Sequence, residues 1–403
     1  MHLTELLHKT FANKLPEVHK TRLQSLMLIC KSTIGHNKLY LTGLGRSISN
    51  NNKECSNIQK VDRLLGNGHL QGERNSFYKV MISSIIQDNM RPWIHIDWSC
   101  INPVTNLYVL RASVSMPGRA IVVYERCYPK KQENNHATHK TFLNELKALL
   151  PQRAKPVIVT DAGFRAIWFA HILQLGWDFV RRLRNKNAIC MDTTSDWCLS
   201  STYLEHATAK PSYLGFGRLT EQGKVPAHFI LYKQKAKNRT SLTLDKKRKK
   251  KGGMVVRYSK THKEPWFLVT SISEASSKPE LIINIYRQRM RIEENFRDTK
   301  CTYYGLGLKD SLTKCPQRMN ILLLIAAITL FTAWLAGLHI KSIGKASDFQ
   351  AQSAKHTSAL SLVFLGKQAL KKTLIISQEI FDKLLIMLCQ CTIHAQQESH
   401  HYG

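Results

Sequence analysis

Four residues in the C-terminal part of the chain have the types and the spacing to hold a phosphodiester beside a metal ion. They are Tyr286, Arg289, Glu293 and Lys300, at offsets of 0, 3, 7 and 14 within Ile282–Lys300, a stretch without Pro or Gly. A helix turns about 100° per residue, so these offsets fall within an arc of roughly 60°. One helix would then present an aromatic hydroxyl, a guanidinium, a carboxylate and an ammonium group along a single line. A solvated helix face with salt bridges at helical spacing is the alternative.

Two aspartates lie where strands are predicted. Asp97 lies in WIHIDWS, within or at the end of the first predicted strand, and Asp161 directly follows the buried strand PVIVT. Strand ends are where α/β folds place their chemistry. Together with Glu293, these carboxylates could converge on Mg²⁺, which takes oxygen ligands and keeps waters for substrate phosphates; two such ions would support in-line cleavage. The alternative is that both aspartates are turn or capping residues.

The chain is cationic along its whole length. Its 403 residues include 59 Lys and Arg against 28 Asp and Glu, for a net charge of +31. Such an excess indicates a polyanionic partner, with nucleic acid far ahead of an anionic membrane. The length suits two or three domains. Charge alone does not separate an enzyme from a packaging protein.

The cysteines and the N-terminus favour a reducing cytoplasm. The ten cysteines include no Cys-x2-Cys pair, which argues against a structural zinc site, and a secreted disulfide framework would suit a much smaller chain. Met1–Lys9 is polar and shows no secretion signal. Ile321–Leu338 is almost wholly apolar and close to membrane-spanning length. We interpret it as a buried core helix, since it contains Thr329, Thr332 and Gly337 and no second such segment exists.

The first ninety residues are predicted to be helical. Within Leu3–Asn89, a short helix over Leu39–Ile48, capped by Thr42, precedes a polar turn and a helix over Ile58–Leu65. Helix, turn and helix suggest a DNA-reading arrangement with three exposed charged residues, Lys60, Asp62 and Arg63. Any small helical bundle would give the same pattern.

From Arg91 the pattern becomes an α/β core with a mixed sheet. Three strands, a helix over His139–Leu150 and the strand Pro156–Thr160 follow in order. The three strands are predicted over Trp93–Trp98, Leu107–Val114 and Ala120–Arg126. Strand patterns return between Gly176 and Ile272, and the run KKRKKK at Lys246–Lys251 is predicted to be a solvated loop whose use would be phosphate contact. The wider Lys-rich loop, Lys233–Lys251, matches no motif, and its role stays open. Beyond Lys300 the chain is predicted to be helical, ending in a disordered tail over Gln396–Gly403.

These features together resemble a known family. Tyr286-x2-Arg289-x3-Glu293-x6-Lys300 resembles the signature of the insertion sequence 4 family of bacterial DDE transposases. The resemblance extends to WIHIDWS, TDAGF, EPWFLVTS and YGLGL, and the segments KTRLQSL and VDRLLGN are similar to the insertion sequence 10 type. It covers nearly the whole chain, and a four-residue signature with matching aspartates is specific.

The resemblance implies a ribonuclease-H-like catalytic core with helical domains on both sides. Residues 1–90 would bind DNA, residues 91–310 would form the core with a β-rich insertion at about 176–272, and residues 311–403 would support dimerisation. Asp97, Asp161 and Glu293 would bind two Mg²⁺ ions, for which Mn²⁺ can substitute. The adjacent Glu294, about 100° away around the helix, is expected to be a surface charge and no ligand.

The implied activity is cut-and-paste DNA transposition. The enzyme would bind the terminal inverted repeats as a homodimer, excise its element through a hairpin intermediate and join the 3′ ends to target DNA. Trp266 would stack on a flipped base of the hairpin, unless it is a core residue of its strand. Tyr286, Arg289 and Lys300 would hold phosphates. Arg181, Arg182 and Arg184 would contact the DNA backbone, or form a solvated edge.

Two other classes of protein stay in view. A non-catalytic protein that binds DNA ends on the same scaffold has no need to keep Asp97, Asp161 and Glu293 together, so the three intact carboxylates favour the enzyme. A basic protein anchored by Ile321–Leu338 would be membrane-associated. The transposase is expected to be cytoplasmic, bound to the bacterial nucleoid, and without a membrane partner.

Overall fold

The computed structural model describes residues 1–184, 187–194, 196–234, 264–351, 360–372 and 374–397. These residues form two compact units. The first unit consists of Met1–Pro156 and Arg289–Gly403, and the second of Val157–Gln288. The predicted division into three domains follows different boundaries and stays a prediction.

Helices and strands are numbered in chain order. Twelve α-helices occur in the described residues: α1 (Leu3–Lys14), α2 (Lys20–His36), α3 (Leu41–Arg46), α4 (Glu54–Leu65), α5 (Gly68–Ser83), α6 (His136–Leu149), α7 (Ala166–Gln174), α8 (Pro279–Arg287), α9 (Met290–Lys300), α10 (Pro316–Ser342), α11 (Leu362–Lys371) and α12 (Gln378–Gln397). Ten strands occur there: β1 (Trp93–Asn102), β2 (Leu107–Met116), β3 (Arg119–Pro129), β4 (Val157–Thr160), β5 (Asp178–Leu183), β6 (Ala188–Met191), β7 (Trp197–Leu199), β8 (Ser212–Leu219), β9 (Val225–Tyr232) and β10 (Trp266–Thr270).

The N-terminal part of the first unit is helical, as predicted. Helix α1 begins with a capping box, in which the His2 side chain accepts from the Thr4 N–H and Glu5 accepts from the His2 N–H. The prediction that Thr42 caps α3 is wrong. The helix begins at Leu41, so Thr42 lies inside it, and the preceding residue, Tyr40, makes no side-chain cap hydrogen bond. In α4, Asp62 and Arg63 are exposed and Lys60 is half-buried. The DNA-reading role of this region stays a prediction.

The three predicted strands of the core form an antiparallel meander in the first unit. Strand β2 lies between β1 and β3. Asp97 of β1 is the register partner of Arg111 of β2, and Arg111 is the partner of Glu125 of β3. Paired residues on antiparallel strands project to the same face of a sheet. A carboxylate, a guanidinium and a second carboxylate therefore follow each other across three strands.

Helix α10 is the core helix of the first unit. Its most apolar 18 residues are all buried, which supports the interpretation of Ile321–Leu338 as a core helix. Glycines allow α10 and α11 to cross closely: a Cβ on Gly337 would lie 1.9 Å from the Leu362 carbonyl oxygen, and one on Gly366 would lie 1.8 Å from that of Ala333. Neither contact leaves room for a methyl group. The pairing of the two helices depends on both glycines.

Replacing Gly366 with alanine is expected to lower the free energy of unfolding by about 1–3 kcal/mol, because the new methyl group forces the two helices apart. Urea denaturation followed by circular dichroism measures the change. Gly72→Ala is the control, since no described atom outside its own helix lies within 4 Å of the added Cβ and alanine favours a helix interior by about 1 kcal/mol over glycine. Equal destabilisation by both substitutions would contradict the packing argument.

The second unit is built on a mixed sheet with the strand order β4-β5-β10-β9-β8-β6-β7. Strands β4 and β5 are parallel, and the other pairs are antiparallel. The strands predicted near Trp177–Leu183, His228–Tyr232 and Trp266–Ile272 are present as β5, β9 and β10. Strands β6 to β8 extend the sheet and lie within residues 176–272, the range given above for the predicted β-rich insertion. The prediction of an α/β fold with a mixed sheet is confirmed.

The predicted single helix over Ile282–Lys300 is wrong. The chain forms α8 and α9 with a break at Gln288 and Arg289. The Gln288 N–H bonds to the Tyr286 carbonyl, so the i→i−4 hydrogen-bond ladder is interrupted there. Tyr286 therefore belongs to the second unit, whereas Arg289, Glu293 and Lys300 belong to the first. No Pro or Gly marks this break in the sequence.

Most of the Lys-rich segment and the end of the tail lie outside the described residues. They are residues 235–263, which contain the run KKRKKK, and residues 398–403. The predictions made for them are therefore not examined by the structure.

Candidate active site

Asp97 and Glu293 are joined by one guanidinium in the first unit. Arg289 Nη1 lies 3.4 Å from Asp97 Oδ2, and Arg289 Nη2 lies 3.0 Å from Glu293 Oε1. Strand β1 positions the aspartate, whose Oδ1 also accepts from the Trp98 N–H at 2.8 Å. Helix α9 positions the glutamate, which is about half exposed at 48%. Two carboxylates from distant parts of the chain thus meet around a single cation.

A cleft of about 560 Å³ contains both carboxylates. Lys300 lines it together with Asp97 and Glu293, and its ammonium group donates to Ser99 Oγ at 2.7 Å and to the Cys100 carbonyl at 3.1 Å. Burial lowers the pKa of Lys300, the neighbouring Arg111 lowers it further, and Cys100 and Asp97 raise it. The remaining lining residues are Trp98, Ser99, Phe296, Arg297, Cys301, Thr302, Tyr303 and Lys309.

A buried ion pair anchors the helix that carries Glu293. Arg111 Nη2 lies 2.6 Å from Glu125 Oε2, and both side chains are at most 1% exposed. Arg111 Nη1 donates to Asn295 Oδ1 at 2.8 Å, and its guanidinium lies 4.6 Å from the centre of the Phe296 ring. Burial raises the pKa of Glu125, and the charge of Arg111 opposes that shift. Arg111 of β2, held in place by Glu125, thus anchors α9 through its contacts with Asn295 and Phe296.

The residue beside Glu293 is engaged elsewhere. Glu294 Oε2 lies 2.5 Å from Arg119 Nη1 and also pairs with Arg297 on its own helix. Arg119 further pairs with Asp298 at 3.4 Å. Glu294 does not line the cleft that holds Asp97 and Glu293. These contacts agree with its expected role as a helix-surface charge.

Asp161 lies at the carboxyl end of β4 in the second unit, directly after Thr160. Its Oδ1 accepts from the Gly163 N–H at 2.8 Å, which fixes the turn. Asp161 also acts on Arg181, the β5 residue paired with Thr160. Burial lowers the pKa of Arg181 to about 10, while the charges of Asp161 and Tyr286 raise it. Asp161, Arg181 and Tyr286 therefore form one electrostatic cluster.

An aromatic group surrounds Tyr286 in the same unit. The rings of Trp266 and Tyr286 meet edge to face with their centres 5.1 Å apart, and the Tyr232 ring lies 5.7 Å from Trp266. Trp266 is half-buried at the start of β10, whereas its neighbour Phe267 is buried. The indole is therefore partly accessible to a partner.

The arginines of β5 differ in exposure. Arg181 and Arg182 are 3% and 6% exposed, and the Arg181 guanidinium packs 4.6 Å from the centre of the Phe169 ring. Strand β5 lies between β4 and β10, so the alternative of a solvated sheet edge is wrong. Arg184 is 48% exposed and lies 3.9 Å from Glu264. The surface needed for a phosphate contact is thus present at Arg184, not at Arg181.

Comparison with known families gives a match over the middle of the chain. The family described as Transposase DDE domain matches residues 121–330, slightly more than half of the chain. The chain belongs to this family of DDE transposases. The match includes Asp161 and Glu293 and begins after Asp97. Comparison with curated proteins gives no match.

Membership has direct consequences for this transposase. The fold is ribonuclease-H-like, the substrate is DNA and the activity is DNA transposition and recombination of an insertion sequence. Transposases of this family generally use divalent metal ions and are typically soluble and cytoplasmic. The mixed sheet of the second unit, with Asp161 at a strand end, agrees with such a fold.

The carboxylates of the transposase fit a divalent cation by their chemistry. Among the described residues, no group of three or more His, Cys, Asp or Glu side chains is close enough to hold a metal ion. Asp97 and Glu293 nevertheless share one cation, the Arg289 guanidinium. Carboxylate oxygens are the ligands that Mg²⁺ prefers, and a bound ion would polarise the scissile phosphate.

Sequence reasoning missed three residues that support the candidate site. Arg111, Glu125 and Asn295 hold α9 from inside the core. A charge within an apolar strand on both β2 and β3 was the available signal, because buried charges are seldom left unpaired. His139 is a fourth: its Nε2 accepts from the Trp98 indole N–H at 2.9 Å, next to Asp97 in sequence. Because an indole N–H only donates, His139 Nε2 must be the acceptor and carries no proton.

Acid is expected to destabilise the transposase through His139. Burial lowers the pKa of its imidazole to about 4, with His136 adding to the effect, against about 6.5 when unfolded. The unfolded chain therefore binds the proton more readily than the folded chain. The contribution of neutral His139 to the free energy of unfolding is present above about pH 6.5 and is lost as pH falls towards 4. At pH 5 the free energy of unfolding is lower by about 2 kcal/mol for this reason. Urea unfolding at pH 7.5 and pH 5 should show a smaller loss in His139→Gln, which accepts without titrating; an unchanged loss would contradict the assignment.

Proposed function

We propose that this transposase excises its element by Mg²⁺-dependent cleavage and transfers the 3′ ends into target DNA. The observation that carries the proposal is the meeting of Asp97 and Glu293 around Arg289 in a cleft that also contains Lys300. Carboxylates supply the metal ligands, and neighbouring cations attract the DNA strand. Asp161, after a strand of the second unit, is the proposed third carboxylate. Two Mg²⁺ ions, or Mn²⁺ in their place, are the proposed cofactors.

The residues around the carboxylates are proposed to position the substrate. Arg289 and Lys300 provide a forked and a point charge for phosphates, and the Tyr286 hydroxyl provides a hydrogen bond. Arg184 is exposed enough to contact the backbone. Arg181 is buried against Phe169, so its proposed role is to hold Asp161 and Tyr286 in position before DNA reaches them.

We propose further that the protein is a member of the insertion sequence 4 family, of the insertion sequence 10 type, and cuts through a hairpin. The signature residues and the partial exposure of Trp266 support this assignment. A tight hairpin strains its terminal bases, and an aromatic platform relieves the strain by stacking a flipped base. The N-terminal helices would bind the inverted repeats, and a homodimer would join two ends in the synaptic complex on the nucleoid.

Labelled DNA carrying the inverted repeat that flanks the gene tests the function. With Mg²⁺, the wild-type protein is expected to nick the element end, form a hairpin and open it, whereas Ca²⁺ should allow binding alone. Asp97→Ala should bind the same DNA without cutting it. Binding without any cut by the wild-type protein would favour the other candidate, a non-catalytic protein that binds DNA ends.

Replacing Trp266 with alanine is expected to slow hairpin formation or opening by about tenfold and to leave the first nick unchanged, because one base loses its stacking partner. Quenched time courses on a denaturing gel separate the three steps. Trp266→Phe, which keeps an aromatic ring, is the control, and its rate of hairpin formation or opening should lie between those of the wild type and Trp266→Ala. A defect confined to the first nick would argue against the stacking role.

A further inference from the structure

The cleft continues beyond the two carboxylates. From Glu293 it follows α9 past Phe296 and Arg297 to Lys300 and the segment that comes after the helix. Lys300 follows Glu293 by seven positions on the helix, which corresponds to roughly 10 Å at 1.5 Å per residue. If one phosphate of a DNA strand lies between the two carboxylates, this length accommodates about one to three further nucleotides of the same strand.

Tyr303, three residues after Lys300, lines the cleft and is 87% exposed. Its neighbour Tyr304 is 70% exposed and does not line the cleft. A phenol ring in water contributes little packing to the core, so the fold gains little from Tyr303. The ring is therefore available to a partner that enters the cleft.

The backbone around Tyr303 is fixed. Lys367 of α11 donates to the carbonyls of Tyr304 and Gly305 at 3.2 and 2.8 Å, and the Leu306 N–H donates to the Asp298 carbonyl at 2.9 Å. Gly305 packs so closely that an added Cβ would lie 2.5 Å from the Arg297 carbonyl oxygen. An aromatic ring on a fixed backbone loses little freedom when it binds a ligand.

Positive charge accompanies the ring. Arg297, Lys300 and Lys309 line the same cleft as Tyr303. Cations that follow a strand together with an exposed aromatic ring are the combination that binds unpaired nucleotides: the cations meet the phosphates, and the ring stacks on a base regardless of its identity. The Phe296 ring is less suited, since Arg111 and Lys300 already lie against it at 4.6 and 5.4 Å.

We propose that Tyr303 is a stacking platform for an unpaired nucleotide one to three positions from the phosphate held at Asp97 and Glu293. The position of that phosphate rests on the proposed function; the aromatic and cationic subsite rests on the cleft itself. Tyr303 would thereby keep the end of the strand separated from its complement and aligned with α9. It is a binding and positioning residue, and no bond forms or breaks at its ring.

The test compares three variants of the full-length protein in Ca²⁺, so that binding is measured without cleavage. The probe is a duplex with a short single-stranded tail that carries 2-aminopurine, whose fluorescence falls when the base stacks on an aromatic ring. Tyr303→Ala is expected to bind about tenfold more weakly and to lose the quenching. Tyr303→Phe should keep both, and Tyr304→Ala, the matched control, should stay within about twofold of wild type.

Two outcomes would overturn the proposal. One is wild-type affinity and quenching in Tyr303→Ala, and the other is an equal loss in Tyr303→Ala and Tyr304→Ala, which would indicate a general effect of the segment. Circular dichroism of each variant separates folding from binding. A wild-type protein that quenches the tail in Ca²⁺ but never cuts in Mg²⁺ would refute the proposed function and leave the subsite standing.

Discussion

Replacing Glu293 with alanine is expected to reduce DNA strand cleavage by at least about a thousandfold while DNA binding stays measurable. The carboxylate meets Asp97 through Arg289, and its loss removes a proposed metal ligand together with several kcal/mol of transition-state stabilisation. Binding persists because it depends on the many cations of a chain with net charge +31. Cleavage of end-labelled DNA in Mg²⁺, beside a gel-shift assay in Ca²⁺, measures both quantities.

Glu294→Ala is the matched control on the same helix. Glu294 pairs with Arg119 and Arg297 and does not line the cleft, so its loss should cost at most about 1 kcal/mol of stability and should retain cleavage. A similar loss of cleavage in both variants would show that the assignment of Glu293 is in the wrong register. Retained cleavage in Glu293→Ala would remove this residue from the proposed metal site.

Replacing Glu125 with alanine is expected to lower the free energy of unfolding by about 3–5 kcal/mol. The substitution leaves the Arg111 guanidinium buried without its carboxylate, and Arg111 and Glu125 are at most 1% exposed. The backbone contact of Arg74 with the Glu125 carbonyl stays, at 2.7 Å. Equilibrium unfolding in urea measures the loss. Cleavage should also fall. Glu125 orients Arg111, and Arg111 in turn holds Asn295 of the helix that carries Glu293.

The control removes both charges. In the double variant Arg111→Met with Glu125→Leu, the Arg111 guanidinium is removed together with its carboxylate, and apolar side chains of similar volume often restore such a site. Stability is expected to return to within about 2 kcal/mol of wild type, while cleavage stays low because Asn295 has lost its donor. A Glu125→Ala loss below about 1 kcal/mol would contradict the structural importance of the ion pair.

The elements that position the site could be predicted from the sequence where one signal was sufficient. Alternating and apolar runs indicated β1 to β5, and a carboxylate directly after PVIVT indicated that Asp161 lies at a strand end. The break between α8 and α9 could not be predicted, because neither Gln288 nor Arg289 is a helix breaker.

Pairings between distant residues were beyond the sequence. Arg111 and Glu125 are partners through the register of β2 and β3, and composition does not give a register. Arg181 on β5 was predicted to be an exposed basic residue, yet it is buried with its guanidinium against the Phe169 ring of α7. The types of residue in the site were thus predictable, whereas their supports depend on tertiary pairing.

The bridge from Arg289 to Asp97 and Glu293 has a thermodynamic consequence. The single positive charge of Arg289 cannot pair fully with two carboxylates and also with a DNA phosphate. A divalent ion that binds the two carboxylates therefore leaves the Arg289 guanidinium available to the phosphate. We expect metal and DNA to strengthen each other's binding by the same factor, as reciprocity requires. A transposase without DNA would then hold its metal weakly and remain an idle nuclease until a DNA end arrives.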